Sequence, residues 1–325
     1  MSVSEKLVLM VVALLVFAAV IGIVLTVVAV LEKRGAHRVA WFFVGPTIVL
    51  IIIGLLYPAA RTIWRSLYNA AGSAFVGVDN YSRIFTSPDM LLVLRNTGFW
   101  VIVTPFVATA VGLVYAILVD GARGEAVSKA LIFLPMAISF VGAGIIWKFM
   151  YDYRFVDPSL ASQPEQIGLL NQIIIWLGGT PQNFMLNQPW NTFWLILVMI
   201  WIQAGFAMTI LSAAIKAIPT EITEAARLDG VNSFELFRYV TVPSIRPTLV
   251  VVLTTIAIGC LKVFDIVLTM TGGQFGTSVI ANEFYQQSFT RGDQGLGAAL
   301  AVLLFVLVIP IVIYNVRQLR RAEAR

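Results

Sequence analysis

Uncharged apolar runs of about 20 residues recur along the chain, and each is long enough to cross a ~30 Å hydrocarbon core as a helix. The first is 7–31, bounded by Lys6 and Glu32. The next are 39–60 between Arg38 and Arg61, 96–119 between Arg95 and Asp120, and 130–147 between Lys129 and Lys148. A fifth falls near 191–215, inside the long uncharged stretch 166–215, a sixth follows Pro247 to about Thr269, and a seventh is 294–316. The pattern predicts an all-α membrane protein of about seven transmembrane helices. The apolar stretch 167–177 is too short to span, and Gly178, Gly179, Pro181 and Pro189 follow it, so it reads as an amphipathic helix at the membrane surface. The first run exceeds a signal-peptide core and shows no clear small-residue cleavage site, so a retained helix is expected. The charged joint 32–38 makes it an appendage (1–38) to a six-helix core (39–325).

Composition supports this class: of 325 residues 59% are apolar and 12% charged, with a mean hydropathy of +0.89. A disordered chain or an ordinary soluble enzyme is excluded. A single cysteine, Cys260, and a single histidine, His37, exclude an intrachain disulfide and clustered thiolate or imidazole metal sites. The net charge of +5 suggests nucleic acid only until the basic residues are placed. With the N-terminus outside, 13 of the 22 fall in the short inner segments 32–38, 120–129, 216–246 and 317–325, and 8 in the longer outer ones. That asymmetry is the positive-inside signature, so the charge reads as orientation, with the C-terminus cytoplasmic.

The inner loop 216–247 reads as helix, turn, helix. Pro219 and Thr220 open the first helix, with Glu221 and Glu224 in its first turns, where the dipole favours acids. Gly230 suits the left-handed residue after a helix, Ser233 is placed to cap the second helix with Glu235 in its first turn, and Pro243 and Pro247 are expected to end it. Ile222, Ala225, Ala226, Val231, Phe234 and Phe237 are apolar on this water-side element, which is too small to bury them on itself. Either the loop folds back on its own membrane domain or a partner covers it.

Glu224-Ala225-Ala226, three residues, Gly230, nine residues, then Val240-Thr241-Val242-Pro243 resembles the EAA loop of ABC importer permeases, with Val240 and Val242 in place of the usual Ile and Leu. Gly77-Val78-Asp79-Asn80-Tyr81, Asn96-Thr97, Ile218-Pro219, Arg227-Leu228-Asp229-Gly230, Lys262-Val263-Phe264-Asp265 and Thr271-Gly272-Gly273 are similar to signatures of the carbohydrate-uptake branch. The stretch from Met270 to Thr277, leading to Ala281-Asn282, is similar to permeases for α-glucosides; the match covers about residues 39–320. The resemblance implies a permease subunit in a bacterial cytoplasmic (inner) membrane. It would form a sugar path with a second permease, take carbohydrate from an extracytoplasmic binding protein, and be driven by a dimer of ABC ATPases. It also implies that Glu224, Ala225, Ala226 and Gly230, with Arg227, Asp229 and Phe234 beside them, dock an ATPase.

Candidates for the path are few. Lys262 and Asp265, three apart, read either as a helix-internal ion pair reaching the outer interface or as a pair lining the path. The fifth span offers Asn191, Trp194, Trp201 and Gln203, since sugars take aromatic faces and amides; the competing reading is an interfacial aromatic belt and helix packing. Phe264 and Trp147 are weaker candidates. The glycine-rich 271–277 lacks the Lys of a P-loop and no such motif occurs elsewhere, so ATP and Mg are expected on the separate ATPase, with no cofactor and no metal on this chain and no catalytic residue. A self-contained secondary transporter would want a midplane carboxylate, and only Asp265 is available; a membrane-embedded enzyme would want clustered acids or histidines.

Overall fold

The computed structural model describes residues 36–155 and 165–323, together with Val12. The expected first span, 7–31, lies otherwise outside them. Two compact units are present, Met1–Thr62 and Ile63–Arg325. Among the described residues five helices are long and apolar enough to cross a bilayer, and one bent pair makes a sixth.

In the first unit, α1 (Ala36–Ile51) runs through a π turn, Ile52–Leu56, into α2 (Tyr57–Arg65), which crosses the unit boundary. None of its apolar window, within Trp41–Arg65, is buried. Such an apolar surface suits lipid or another subunit.

In the second unit, α3 (Asp79–Thr86) precedes the 32-residue α4 (Pro88–Val119), which begins two turns before the expected third span. Next come α5 (Glu125–Phe133), α6 (Phe140–Met150), the short α7 (Leu169–Trp176) and the 27-residue α8 (Trp190–Lys216). The chain continues through α9 (Thr220–Leu228), α10 (Ser233–Leu236), α11 (Val242–Leu261), α12 (Asp265–Met270) and α13 (Ile280–Tyr285) to α14 (Gln294–Glu323). Helix α8 is the hub: 67% of its apolar window is buried, against 33% for α4 and 28% for α14. It packs on α4, α5 and α11. Backbones approach closely at Gly112 of α4, where a Cβ would stand 2.6 Å from the Ala207 Cβ of α8. Small residues supply such contacts where lipid removes the usual drive to bury apolar surface.

Two expected spans are corrected. The fourth, 130–147, is not one helix: α5 ends in a 3₁₀ turn, Leu134–Ala137, and α6 leaves at 102° to the line of the preceding segment. Pro135 blocks continuation, and Ser139 starts α6 by accepting from the Gly142 N–H at 3.1 Å. The sixth span ends at Leu261 rather than near Thr269. Lys262 and Phe264 leave the helical conformation, and α12 starts at Asp265. Lys262 thus follows a helix C-terminus and Asp265 opens a helix N-terminus, each complementing a dipole end. They do not share a helix face, and among the described residues no salt bridge joins them.

Candidate functional site

The helical element 216–247 grows directly out of the hub. Ala217 closes α8, and Pro219, extended at ψ 134°, turns the chain into α9. The α9 helix ends as expected: Gly230 takes φ +81°, and the Val231 N–H reaches back to the Ala226 carbonyl at 3.2 Å. A Cβ at Gly230 would meet nothing of this chain within 4 Å, so the glycine answers to backbone conformation rather than to crowding. The second helix differs from expectation in two ways. Its cap is Asn232, not Ser233: Asn232 Oδ1 accepts from the Phe234 and Glu235 N–H groups, while Glu235 Oε2 accepts from the Asn232 N–H at 2.9 Å. Nor do Pro243 and Pro247 end it, because α10, a π turn (Phe237–Thr241) and α11 form one helix, Ser233–Leu261. The wide turn, closed by Val242 N–H to Phe237 O, precedes Pro243 and absorbs its missing donor. The same device precedes Pro58 in the first unit.

Among the described residues nothing covers the element. Leu228 is 89% exposed, Phe234 67% and Ile222 48%. Glu224, Ala225, Arg227, Asp229 and Gly230 are also exposed, and Ala226 is half-buried. The loop does not fold back over its own apolar face, and its docking candidates lie on one short outward-facing turn of chain.

The path candidates separate. Trp201 is half-buried and meets the Trp147 ring edge-on at 5.7 Å. Trp147, Tyr151, Phe184 and Trp194 continue the aromatic cluster, and the Tyr151 hydroxyl donates to the Trp194 carbonyl at 3.0 Å. Gln203, half-buried on the same helix, points its amide toward Gly259 of α11. Lys262 is exposed, Asp265 is half-buried, and Phe264 stacks near Tyr285 at 5.0 Å. Trp201 and Gln203 thus leave α8 on different sides, one toward α6 and the other toward α11, while Lys262 and Asp265 stand apart at the break.

Asn191 is fully committed elsewhere. It donates to the Phe275 carbonyl at 2.8 Å, as does Gln188. Asn96 donates to the Gly276 and Ser278 carbonyls at 2.7 and 3.0 Å, and Thr97 accepts from the Ile280 N–H at 3.0 Å. Thr271 and Thr277 hydroxyls close the glycine-rich turn at 2.6 Å, with Gly272, Gly273 and Gly276 all at positive φ. Two separated motifs, Asn96-Thr97 and 271–277, therefore form one pinned cap at the end of the bundle opposite residues 216–247. Asn80 holds its own loop by the same means, its amide tying down the Ser66 and Tyr68 carbonyls at 2.8 Å each. Beside the cap lies a 260 Å³ cavity walled by Arg83, Asp89, Glu283, Gln287 and Arg291, with Glu283 paired to Arg291 at 3.0 Å. Among the described residues no group of acids, cysteine and histidine is placed to hold a metal ion.

Residues 108–322 match the family described as binding-protein-dependent transport system inner membrane component. The α-glucoside transport system permease protein AglF of Rhizobium meliloti (strain 1021) is 46% identical over 282 residues, 86% of this chain and 82% of the relative. The osmoprotective compounds uptake permease protein GgtC of Synechocystis sp. (strain ATCC 27184 / PCC 6803 / Kazusa) is 45% identical over 281 residues, 86% of this chain and 99% of the relative. A bacterial alginate ABC transporter, solved in complex with an alginate pentasaccharide-bound periplasmic protein, shares the fold with a TM-score of 0.73 at 20% identity, covering 90% of this chain and 97% of that one. The chain belongs to the binding-protein-dependent transport system inner membrane component family, the permease subunits of ABC transporters.

Proposed function

We propose that this chain is one of two permease subunits of an ATP-driven importer for an α-glucoside or related oligosaccharide. An extracytoplasmic binding protein delivers the sugar to the capped end of the bundle, and an ABC ATPase dimer holds ATP and Mg at the other. The C-terminus is cytoplasmic. The observation that carries the reading is the helix pair at residues 216–247, whose Ile222, Leu228 and Phe234 stay exposed among the described residues. An apolar surface of this kind marks a contact site. The names of the relatives support the sugar class.

In this reading the exposed turn enters a groove on the ATPase. Glu224 presents an acid to a basic partner, the Ala225–Ala226 pair allows close approach, and Gly230 sets the turn. Closure of the ATPase dimer pushes the turn, and α8 and α11, continuous with its two ends, carry the movement to the level of Trp201 and Gln203. The test uses Glu224→Lys and Gly230→Pro in the assembled transporter. Both abolish ATP-coupled uptake while insertion and yield stay at wild-type level. Uptake at the wild-type rate by either variant overturns the docking assignment.

A further inference from the structure

Four charges and a hydroxyl from three elements converge at the end of the bundle that carries the coupling element. Glu125 Oε1 accepts from Lys129 Nζ at 2.6 Å and from Lys216 Nζ at 2.5 Å. Glu125 Oε2 accepts from the Gly121 N–H at 3.0 Å. Lys216 also reaches Asp120 at 3.4 Å, and Lys129 donates to Ser212 Oγ at 2.5 Å. Two acids balance two bases, so the cluster is neutral as a whole and every member depends on the others. Glu125 and Lys129 keep 23% of their side-chain surface exposed, while Lys216 keeps 51% and Asp120 39%, so the cluster lies at the surface and holds by its number of mutual bonds rather than by burial. The turn is shaped to deliver Glu125: Gly121 and Gly124, on either side of Arg123, sit at φ +68° and +86°, where other residues would be strained.

The positions matter more than the pairs. Lys216 is the last residue of α8, three residues before α9 begins. Glu125 is the first residue of α5, the first arm of the broken span. Further along, the two helices are pressed together at Gly205, where any Cβ would run into the Ile132 carbonyl. Beyond the bend, α6 brings Trp147 against Trp201. Contact at Gly205 alone permits α5 to rock on α8. The charged cluster, about 11 residues or ~16 Å along α8 from Gly205, supplies the second fixed point that prevents it.

We propose that Glu125 is a positioning residue that yokes the broken span to the coupling element, so that a push on α9 moves α5, and with it the 102° bend, as one body. Separating Lys216 from Glu125 would break a charge-assisted hydrogen bond of 2.5 Å and the Lys216–Asp120 pair with it, and the cluster therefore resists relative movement. The proposal rests on the reading of residues 216–247 as the ATPase dock.

The test is Glu125→Gln in the complete transporter reconstituted with its ATPase and binding protein, measured beside Glu224→Lys and Glu125→Asp. Expected for Glu125→Gln is normal co-purification of the ATPase and normal basal hydrolysis. Substrate-stimulated hydrolysis falls, and ATP consumed per sugar moved rises by about tenfold, the factor set by ~1.4 kcal/mol of lost coupling. Glu125→Asp, which keeps the charge, restores most of the ratio. A structural role alone would lower yield without changing ATP per sugar. Should Glu125→Gln fail to insert, Lys216→Met removes one arm and must raise the same ratio by a smaller factor. An unchanged ratio in either inserted variant, with Glu224→Lys inactive, overturns the yoke and leaves the dock standing. Wild-type uptake by Glu224→Lys overturns the dock itself.

Discussion

Asn96 shows how much a single buried amide does in this chain. Its nitrogen serves two carbonyls of the 271–278 turn, and the side chain is 0% exposed. Replacing it by Ala leaves the buried Ser278 carbonyl without this donor, at about 1–3 kcal/mol before relaxation, and the part-buried Gly276 carbonyl at less. Replacing it by Asp removes the same donors and adds a charge facing two carbonyls, so Asp is expected to be the worse substitution. The measurement is built in: Cys260 is the only cysteine and is 0% exposed, so its reaction with a thiol dye during heating reports unfolding. Labelling should begin at progressively lower temperature in the order wild type, Ala, Asp. An Ala variant that labels like wild type would show that the cap does not depend on this amide. From sequence, Asn96 and the glycine-rich turn each stood out, but not their pairing, because about 180 residues separate them and no local rule links an amide to a distant carbonyl. Gly230 is the opposite case: its positive φ is a local requirement and was legible from its place after an apolar, acid-headed helix.

At the scale of elements, the sites that sequence patterns misplace are those where two local rules compete. Asn232-x-x-Glu235 is a capping box as written, yet Ser233 beside it is also a good cap, and only the geometry decides. Pro243 reads as a helix stop, but the π turn just before it lets the helix continue. Lys262-x-x-Asp265 reads as a same-face pair on one helix, where the structure has the end of one helix and the start of the next. No Gly or Pro marks the break, and the apolar stretches on both sides favour an unbroken span. The dipole reading makes a quantitative prediction. Lys262→Met and Asp265→Leu should each lower stability by roughly 0.3–1 kcal/mol, the usual worth of a charge at a helix end. Because the two charges act on different helices, their effects should add in the double variant, measured by the same Cys260 labelling. A coupling energy above about 1 kcal/mol would mean that the two charges interact directly after all.

The whole molecule has a division of labour between its two ends. One end is held by hydrogen bonds from Asn96, Asn191, Gln188 and Asn80 to loop carbonyls, with the Arg83–Asp293 and Arg291–Glu283 pairs beside them. The other end presents the Glu125 charge cluster and exposed Ile222, Leu228 and Phe234 on its helix pair. Leu228 at 89% exposure and Val78 at 69% are convenient reporters, one on each end. In vesicles from cells making the chain without an ATPase, Leu228→Cys should react with a membrane-impermeant maleimide only when the vesicles are inside-out. Val78→Cys should react only when they are right-side-out, and the buried Cys260 contributes little background to either. When the ATPase is present, Leu228→Cys should lose reactivity, because the groove that receives α9 must cover its largest apolar side chain. Reaction of both residues from the same side would overturn the orientation. Full reactivity of Leu228→Cys in an assembled, transporting complex would place the ATPase contact elsewhere, and with it the reason this chain leaves an apolar helix bare to water.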